Sequence, residues 1–299
     1  MRFIKRALSN AYSRAKRVLT GVQKNKVVFF SFNGKSYSDN PRSVSEALHE
    51  MMPEAEIFWM MTNPEAKKAV VPEYVKCINC TDGHAVMKHL MSAKVFVSNI
   101  CLHDIKKSKK QLFIQVWHGD KAFKTILYDS PHVEKTFSIT EERPGYCDLA
   151  VAGSNYGKKQ YESAFRYKGK ILMEGTPRND RLVQNDPVLS QKLKQQLNIS
   201  VETKILLYAP TLRRQAEYNR QKQEIQNLSL SATLNLLEKK DGSKWVCLLR
   251  AHPATVGLSG AEDDPRIMDV SDYEDMADLL LISDMLITDY SPVPVILPF

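Results

Sequence analysis

The sequence predicts an α/β protein made of two doubly wound parallel sheets, and three observations lead to that class. Short apolar, β-prone runs recur along the chain with helical or irregular segments between them, which is the spacing that parallel pairing needs. The series restarts once, after Gly175-Thr176-Pro177-Arg178-Asn179-Asp180. The chain has 299 residues, about twice the length of a typical domain.

The first strand is Lys26 to Phe32, followed by a loop at its carboxyl end, Asn33-Gly34-Lys35-Ser36. Asn40-Pro41 then opens a helix with Pro at its first position. Val44, Ala47, Leu48 and Met51 lie on one face, and Pro53 stops it. Further strands are read at Glu56 to Met61, Val75 to Asn79, Lys94 to Asn99, Gln111 to His118, Leu149 to Ser154 and Lys170 to Gly175, with a helix over Asp82 to Ala93. The second series begins with a polar helix around Val188 to Leu197 and the buried strand Lys204 to Pro210. Arg213 to Gln226 is too polar for core. Strands follow at Trp245 to His252 and Ile267 to Ser271, then a helix from Asp272 to Ser283 capped by Ser271 or Asp272, and a strand from Met285 to Thr288.

Hydrophobic content of 43% and charged content of 25% are ordinary for a globular chain. No apolar run approaches the roughly 18 residues of a membrane-spanning helix. The five cysteines are scattered, and Cys77-Ile78-Asn79-Cys80 lacks the second pair of a structural zinc site, so they read as reduced cytosolic thiols. The net charge of +8 has a location. Of 42 basic residues, eight lie in Met1 to Lys26 with no acid among them, which leaves 34 against 34 acidic residues in the body. A pI near 9.1 therefore gives no reason to expect a nucleic-acid groove there. In the arm, Ile4, Ala7, Leu8, Ala11, Ala15, Val18 and Leu19 recur at helical spacing among Arg and Lys, the pattern of a helix lying on an anionic membrane surface. Charges interrupt what a signal peptide would keep apolar.

Chemistry-bearing residues gather at two strand exits. The apolar run from Gln111 ends at Trp117-His118-Gly119-Asp120, and the run from Trp245 ends at Arg250-Ala251-His252-Pro253. In open α/β sheets ligands bind beyond the carboxyl ends of the strands, so His118 and His252 stand where chemistry is usually done. No G-x-G-x-x-G or Walker fingerprint occurs, so any phosphate must be bound by other means.

Taken in order, VWHGD, GTPRND, YAPTLR, LLRAHP, DVSDYEDMADLLLISD and ITDYS resemble the CDP-glycerol glycerophosphotransferase family, which primes and polymerises the glycerol phosphate chains of teichoic acids. SFNGKSYSDNPR is similar to the family's entry as well, and the resemblance runs from about Lys26 to Ser291. It implies a glycosyltransferase B fold of two Rossmann-like domains, with the nucleotide donor in the interdomain cleft and held mostly by the second domain. The organisation expected is a basic membrane-association arm over residues 1–25, an acceptor-side domain over 26–185 and a CDP-glycerol-binding domain over 186–299.

By the same resemblance, an acceptor hydroxyl attacks the donor's β-phosphorus and CMP leaves, which calls for a base at the hydroxyl and positive donors at the phosphates. His118 matches the histidine that takes the acceptor proton, and an imidazole suits that task at neutral pH. His252 and Arg250 match the donor-phosphate site, with Arg supplying a planar fork and His a further donor or a proton for the leaving group, so that His252 is assigned with His118 to catalysis. Arg178, Pro210, Thr211 and Ser291 match further donor contacts. Trp117, Gly119 and Ala251 of the same motifs are assigned with them to substrate binding. For Arg178 and Arg250 the competing role is an ion pair, and motif context decides. Asn33, Lys35 and the run from Lys106 to Lys110 read as solvated. The reading calls for no metal and no organic cofactor.

Two departures from the family pattern matter. Where many members read Trp-His-Gly-Thr-Pro, this chain has Trp117-His118-Gly119-Asp120-Lys121, which leaves the acceptor's polyol and length preference open. After Ser291 come three prolines in eight residues, unable to begin the helix that should follow the strand, so the chain is expected to be a truncated member whose last eight residues come from a shifted frame. The expected protein is a cytoplasmic transferase, peripheral on the inner face of the cell membrane. It moves glycerol phosphate from CDP-glycerol to a polyprenyl-linked acceptor. The alternatives are a related enzyme using CDP-ribitol or a nucleotide sugar, and an inactive truncated membrane-associated remnant.

Overall fold

Two separate parallel sheets organise the computed structural model, which describes residues 21–100, 107–119, 125–130, 147–210, 229–251 and 264–289. The basic arm up to residue 20, the polar stretch Arg213 to Gln226 and the Pro-rich end lie outside the described residues. The chain divides into two compact units, and the first ends at Arg178. Among the described residues no helix is long and apolar enough to cross a membrane.

The first unit holds β1 (Gln23–Phe30), β2 (Glu56–Met61), β3 (Val75–Asn79), β4 (Ala93–Ser98), β5 (Leu112–Gln115), β6 (Leu149–Val151) and β7 (Lys170–Leu172). They form one sheet in the order β3-β2-β1-β4-β5-β6-β7, every pair parallel. The chain winds outward from β1 to β3, then returns to place β4 on the other side of β1. The topological switch point therefore lies between β1 and β4. The central strands are covered on both faces, so they read as largely apolar runs, with alternate residues entering opposite cores. Val28, Phe58, Phe96 and Phe113 pack in one core, and Val27, Phe29, Ile57 and Trp59 in the other.

Its helices are α1 (Asp39–Met51), α2 (Gly83–Ser92) and α3 (Asn155–Ser163). Asp82 caps α2 by accepting from the backbone N–H groups of His84 and Ala85. Helix α1 departs from expectation. It begins at Asp39, so Pro41 is its third residue, and Val44 and Leu48 face the core while Ala47 is exposed and Met51 is 82% exposed. The buried face of its first turn is instead Asp39, Asn40 and Pro41, with Ser45 one turn on. Polar side chains are turned inward there because they serve the exit of β5.

The second unit holds β8 (Lys204–Ala209), β9 (Trp245–Leu249), β10 (Ile267–Asp269) and β11 (Met285–Thr288), a parallel sheet in the order β10-β9-β8-β11. Around it lie α4 (Asp180–Gln184), α5 (Pro187–Gln196), α6 (Leu230–Asp241) and α7 (Met276–Leu281). Ile205 and Leu207 of β8 enter one core, and Leu206 and Tyr208 enter the other with Leu230 and Leu234 of α6. Arg181 of α4 forms a largely enclosed ion pair with Asp278 of α7.

The expected helix from Asp272 to Ser283 is shorter, and its cap is Asp275, which accepts from Ala277 N at 3.0 Å. The residues that would have started it are engaged elsewhere. Ser271 Oγ accepts from Ala251 N at 3.0 Å, and the Tyr273 carbonyl accepts from Arg250 Nη1 at 2.7 Å.

Candidate active site

In the first unit the site is built where β5 ends. Sequence patterning extended that strand to His118, but its pairing stops at Gln115, opposite Ser98. The reason is local. Trp117 takes φ 45°, a left-handed conformation outside the strand region, and the backbone groups that leave the ladder are satisfied by side chains. Trp117 N donates to Gln115 Oε1 at 2.9 Å. Asn40 Nδ2 donates to the carbonyls of Val116 and Trp117, both at 2.9 Å. Gln115 is fully buried, and its Nε2 donates to the Ile100 carbonyl at 2.8 Å.

This turn sets His118 beside the topological switch point. Its Nδ1 is 2.9 Å from the Asn99 carbonyl oxygen at the end of β4. Asn99 is itself fixed, since its Oδ1 accepts from Phe32 N at 3.0 Å and its Nδ2 donates to Ser31 Oγ at 3.2 Å, both at the end of β1. A carbonyl only accepts, so Nδ1 carries the proton and the basic lone pair belongs to Nε2. The ring is flanked by Trp117 with centroids 4.0 Å apart and Phe32 at 5.6 Å. Trp117 in turn stands edge-on to Phe165, 4.7 Å away at 86°. A neutral imidazole held this way can accept a proton from a hydroxyl.

Gly119 completes the turn at φ 96°. A side chain there would be strained by that φ, and its Cβ would force Arg178 Nη2 to shift. Arg178 Nη1 donates to Asp39 Oδ2 at 3.0 Å, and its backbone N donates to Asn40 Oδ1 at 3.0 Å. The Arg178 and Asp39 side chains are only 13% and 5% exposed, so this is an enclosed pair and not a surface one. A narrow recess beside the turn is lined by Trp117, Gly119, Gly153, Gly157, Gly175 and Thr176. Trp117 Nε1 and Arg178 Nε are buried without a hydrogen-bond partner among the described residues.

In the second unit, Pro210 follows β8, and Arg250 and Ala251 follow β9. Arg250 N donates to the Tyr208 carbonyl at 2.9 Å, and the guanidinium is held at Nη1 by Tyr273. Burial lowers the pKa of Arg250, opposed by the nearby charges of Asp275 and Glu274. His252, Thr211 and Ser291 lie outside the described residues. Among the described residues no group of three or more His, Cys, Asp and Glu side chains could hold a metal ion, and Cys77, Cys80, Cys147 and Cys247 form no disulfide.

The structure thus brings Trp117, His118, Gly119 and Arg178 together in the first unit, and Pro210, Arg250 and Ala251 to the strand ends of the second. Asp39, Asn40 and Asn99 also belong to the first group and were missed in the sequence. Asn99 carried a usable signal, a polar residue at the carboxyl end of an apolar strand, the same that singled out His118.

The family model for CDP-Glycerol:Poly(glycerophosphate) glycerophosphotransferase matches residues 11–295. A teichoic acid poly(glycerol phosphate) polymerase of Staphylococcus epidermidis is 32% identical over 284 residues, covering 89% of this chain and 38% of that protein. A teichoic acid glycerol-phosphate transferase of Staphylococcus aureus is 32% identical over 293 residues, covering 90% of this chain and 70% of its own. The chain therefore spans little more than a third of the first relative and about two thirds of the second. Among solved structures, a variant of the wall teichoic acid polymerase TagF soaked with CDPG superposes with a TM-score of 0.76 at 27% identity, over 98% of this chain and 73% of that one.

Proposed function

The chain belongs to the CDP-glycerol:poly(glycerophosphate) glycerophosphotransferase family, and from that premise we propose that it transfers glycerol phosphate from CDP-glycerol to a hydroxyl of a membrane-lipid-linked acceptor in the synthesis of teichoic acid or a related polymer. The observation that carries the reading is the bond from His118 Nδ1 to the Asn99 carbonyl, which leaves Nε2 as the basic nitrogen. Nε2 takes the acceptor's hydroxyl proton. The oxygen forms a bond to the donor's β-phosphorus, the bond from that phosphorus to the bridging oxygen breaks, and CMP departs with the electron pair. The resulting imidazolium returns its proton to solvent.

In this reading the two units are the Rossmann-like domains of a glycosyltransferase B fold. The first unit serves the acceptor and the second serves CDP-glycerol, with residues 179–185, expected in the first, belonging to the second, and the basic arm ahead of β1 holds the protein to the inner face of the membrane. Arg250 and His252 answer the charge on the donor phosphates, with Pro210, Thr211, Ala251 and Ser291 shaping the donor site around them. Trp117 and Gly119 border the acceptor. Support for a phosphate role of Arg250 comes from its place after β9 and from a guanidinium already oriented by Tyr273.

The test is CMP release from CDP-glycerol in the presence of a polyprenyl-linked acceptor, with CDP-ribitol run in parallel. The expected outcome is acceptor-dependent CMP release from CDP-glycerol. Release from CDP-ribitol alone would replace the donor assignment, and release from neither would refute the proposed transfer.

A further inference from the structure

Arg178 stands beside a carboxylate, Asp39, and that geometry favours a role other than the donor-phosphate contact its motif suggests. We infer that Asp39, Asn40 and Arg178 act together as a positioning device for His118, and that Arg178 serves the turn carrying the histidine instead of the phosphates of a nucleotide donor. The inference rests on the reading of His118 as the base.

Apart from Arg178 Nε, which has no hydrogen-bond partner among the described residues, the polar groups of the device are engaged around the exit of β5. The Asn40 carboxamide makes three bonds: its amino group serves the two carbonyls that precede His118, and its oxygen accepts from Arg178 N. The orientation of the amide is forced, because only the NH₂ can donate and only the oxygen can accept. Arg178 Nη1 is committed to Asp39, and Nη2 lies where a side chain on Gly119 would be. One Arg thus packs against the residue after His118, and one Asn bonds the two residues before it.

Two further observations point the same way. Asp39 and Trp117 both hold positive φ, 66° and 45°, a costly conformation for non-glycine residues that persists only where surroundings over-determine it. They stand at the two ends of the device. An anion approaching Arg178 would also meet the Asp39 carboxylate, which is 95% enclosed and 3.0 Å from the guanidinium, so the pair offers little net attraction to a phosphate. Arg178 is also the residue at which the first unit ends, so the device fixes the point where the chain leaves it.

The experiment uses the whole chain with Asp39→Asn, Arg178→Gln and the double variant. Three quantities are read: the imidazole ¹⁵N resonances of His118 without substrate, the Kd for CDP-glycerol, and turnover. Each single variant is expected to change the His118 tautomer population and titration and to lower turnover by about 10²-fold, the usual penalty of a small misplacement of a reacting group. CDP-glycerol affinity should hold. The double variant should be no worse than either single one, as expected for residues acting as one unit. If Asp39→Asn does not fold, Arg178→Lys carries the same comparison, since it keeps a charge for Asp39 but not the flat group over Gly119. The inference is overturned if Arg178→Gln weakens CDP-glycerol binding tenfold while Asp39→Asn does not, or if the His118 resonances stay unchanged in both. A wild-type chain that binds no CDP-glycerol and releases no CMP would count against the proposed transfer only, because the His118 resonances judge the device without substrate.

Discussion

The guanidinium of Arg178 occupies the space that a side chain on Gly119 would need, with Nη2 against the position of a Cβ. Gly119 also sits at φ 96°, a conformation that L residues rarely adopt. Gly119→Ala therefore meets two obstacles at once. Turnover in the CMP-release assay should fall by about 10²-fold as the His118 turn is displaced. Stability should fall by more than about 1 kcal/mol, as for Ala placed where φ is positive. Wild-type turnover by this variant would show that the turn tolerates movement.

His118→Ala should separate chemistry from donor binding. Removing a general base lowers turnover by about 10²–10⁴-fold. The Kd for CDP-glycerol should stay near wild type, because the base acts on the acceptor's proton. An intact turnover number would mean that the proton goes elsewhere and that Nε2 is not the base.

Sheet strands were the most legible part of the sequence. Glu56–Met61, Val75–Asn79 and Met285–Thr288 match their expected bounds; for Glu56–Met61 the reason is that an apolar run is what a strand covered on both faces requires, while the edge strands Val75–Asn79 and Met285–Thr288 carry exposed positions. The errors came where side chains from distant positions finish the backbone's hydrogen bonding. Val116 and Trp117 look like strand, yet their carbonyls are taken by Asn40, 76 and 77 residues away. Asn40 itself reaches across 138 residues to Arg178. No local pattern marks such a residue. His118 was legible because a titratable group ending an apolar run is a local signal, whereas its orientation by Asn99 needed the order of strands in the sheet.

At the opposite ends of the strands, His89 gives a pH-dependent contribution to stability. Burial lowers its pKa from 6.5 to about 4, with the nearby charges of Lys26 and Lys88 acting in the same direction. Its ring lies 4.5 Å from Phe58, and Lys26 Nζ is 4.5 Å from the centroid of that same phenyl ring. The unfolded chain thus binds the proton more readily than the folded one. Stability from this group is fully present above about pH 6.5 and is lost as pH falls toward 4. In His89→Phe, thermal melts between pH 7 and 4 should show a shallower decline than wild type. Identical slopes would remove His89 as a contributor.

The arm carries the membrane prediction. Met1 to Lys26 holds eight basic residues and no acid, and each basic side chain near an anionic surface contributes about 1 kcal/mol. Deleting residues 1–20, which stops short of β1, should release the protein from phosphatidylserine vesicles in sedimentation while leaving its melting temperature unchanged. Binding by the intact chain should weaken steeply with salt, as exposed charges are screened over about 8–10 Å. Equal sedimentation of the deletion would place the membrane contact elsewhere.

The last prediction concerns the second unit, where Arg181 and Asp278 join α4 to α7 with side chains only 11% and 7% exposed. Enclosing two charges is expensive, and their attraction offsets that expense only while both are present. Asp278→Ala removes the carboxylate from a guanidinium whose side chain is only 11% exposed. Urea unfolding should show a loss of about 3–5 kcal/mol. Arg181→Met with Asp278→Leu removes both charges and fills the space with apolar atoms, so most of that loss should be recovered. If the double variant is as unstable as Asp278→Ala, the pair contributes through hydrogen-bond geometry that no apolar packing replaces. If Asp278→Ala costs less than about 1 kcal/mol, the level of an exposed pair, then solvent reaches these groups and the enclosure seen between α4 and α7 does not persist in solution.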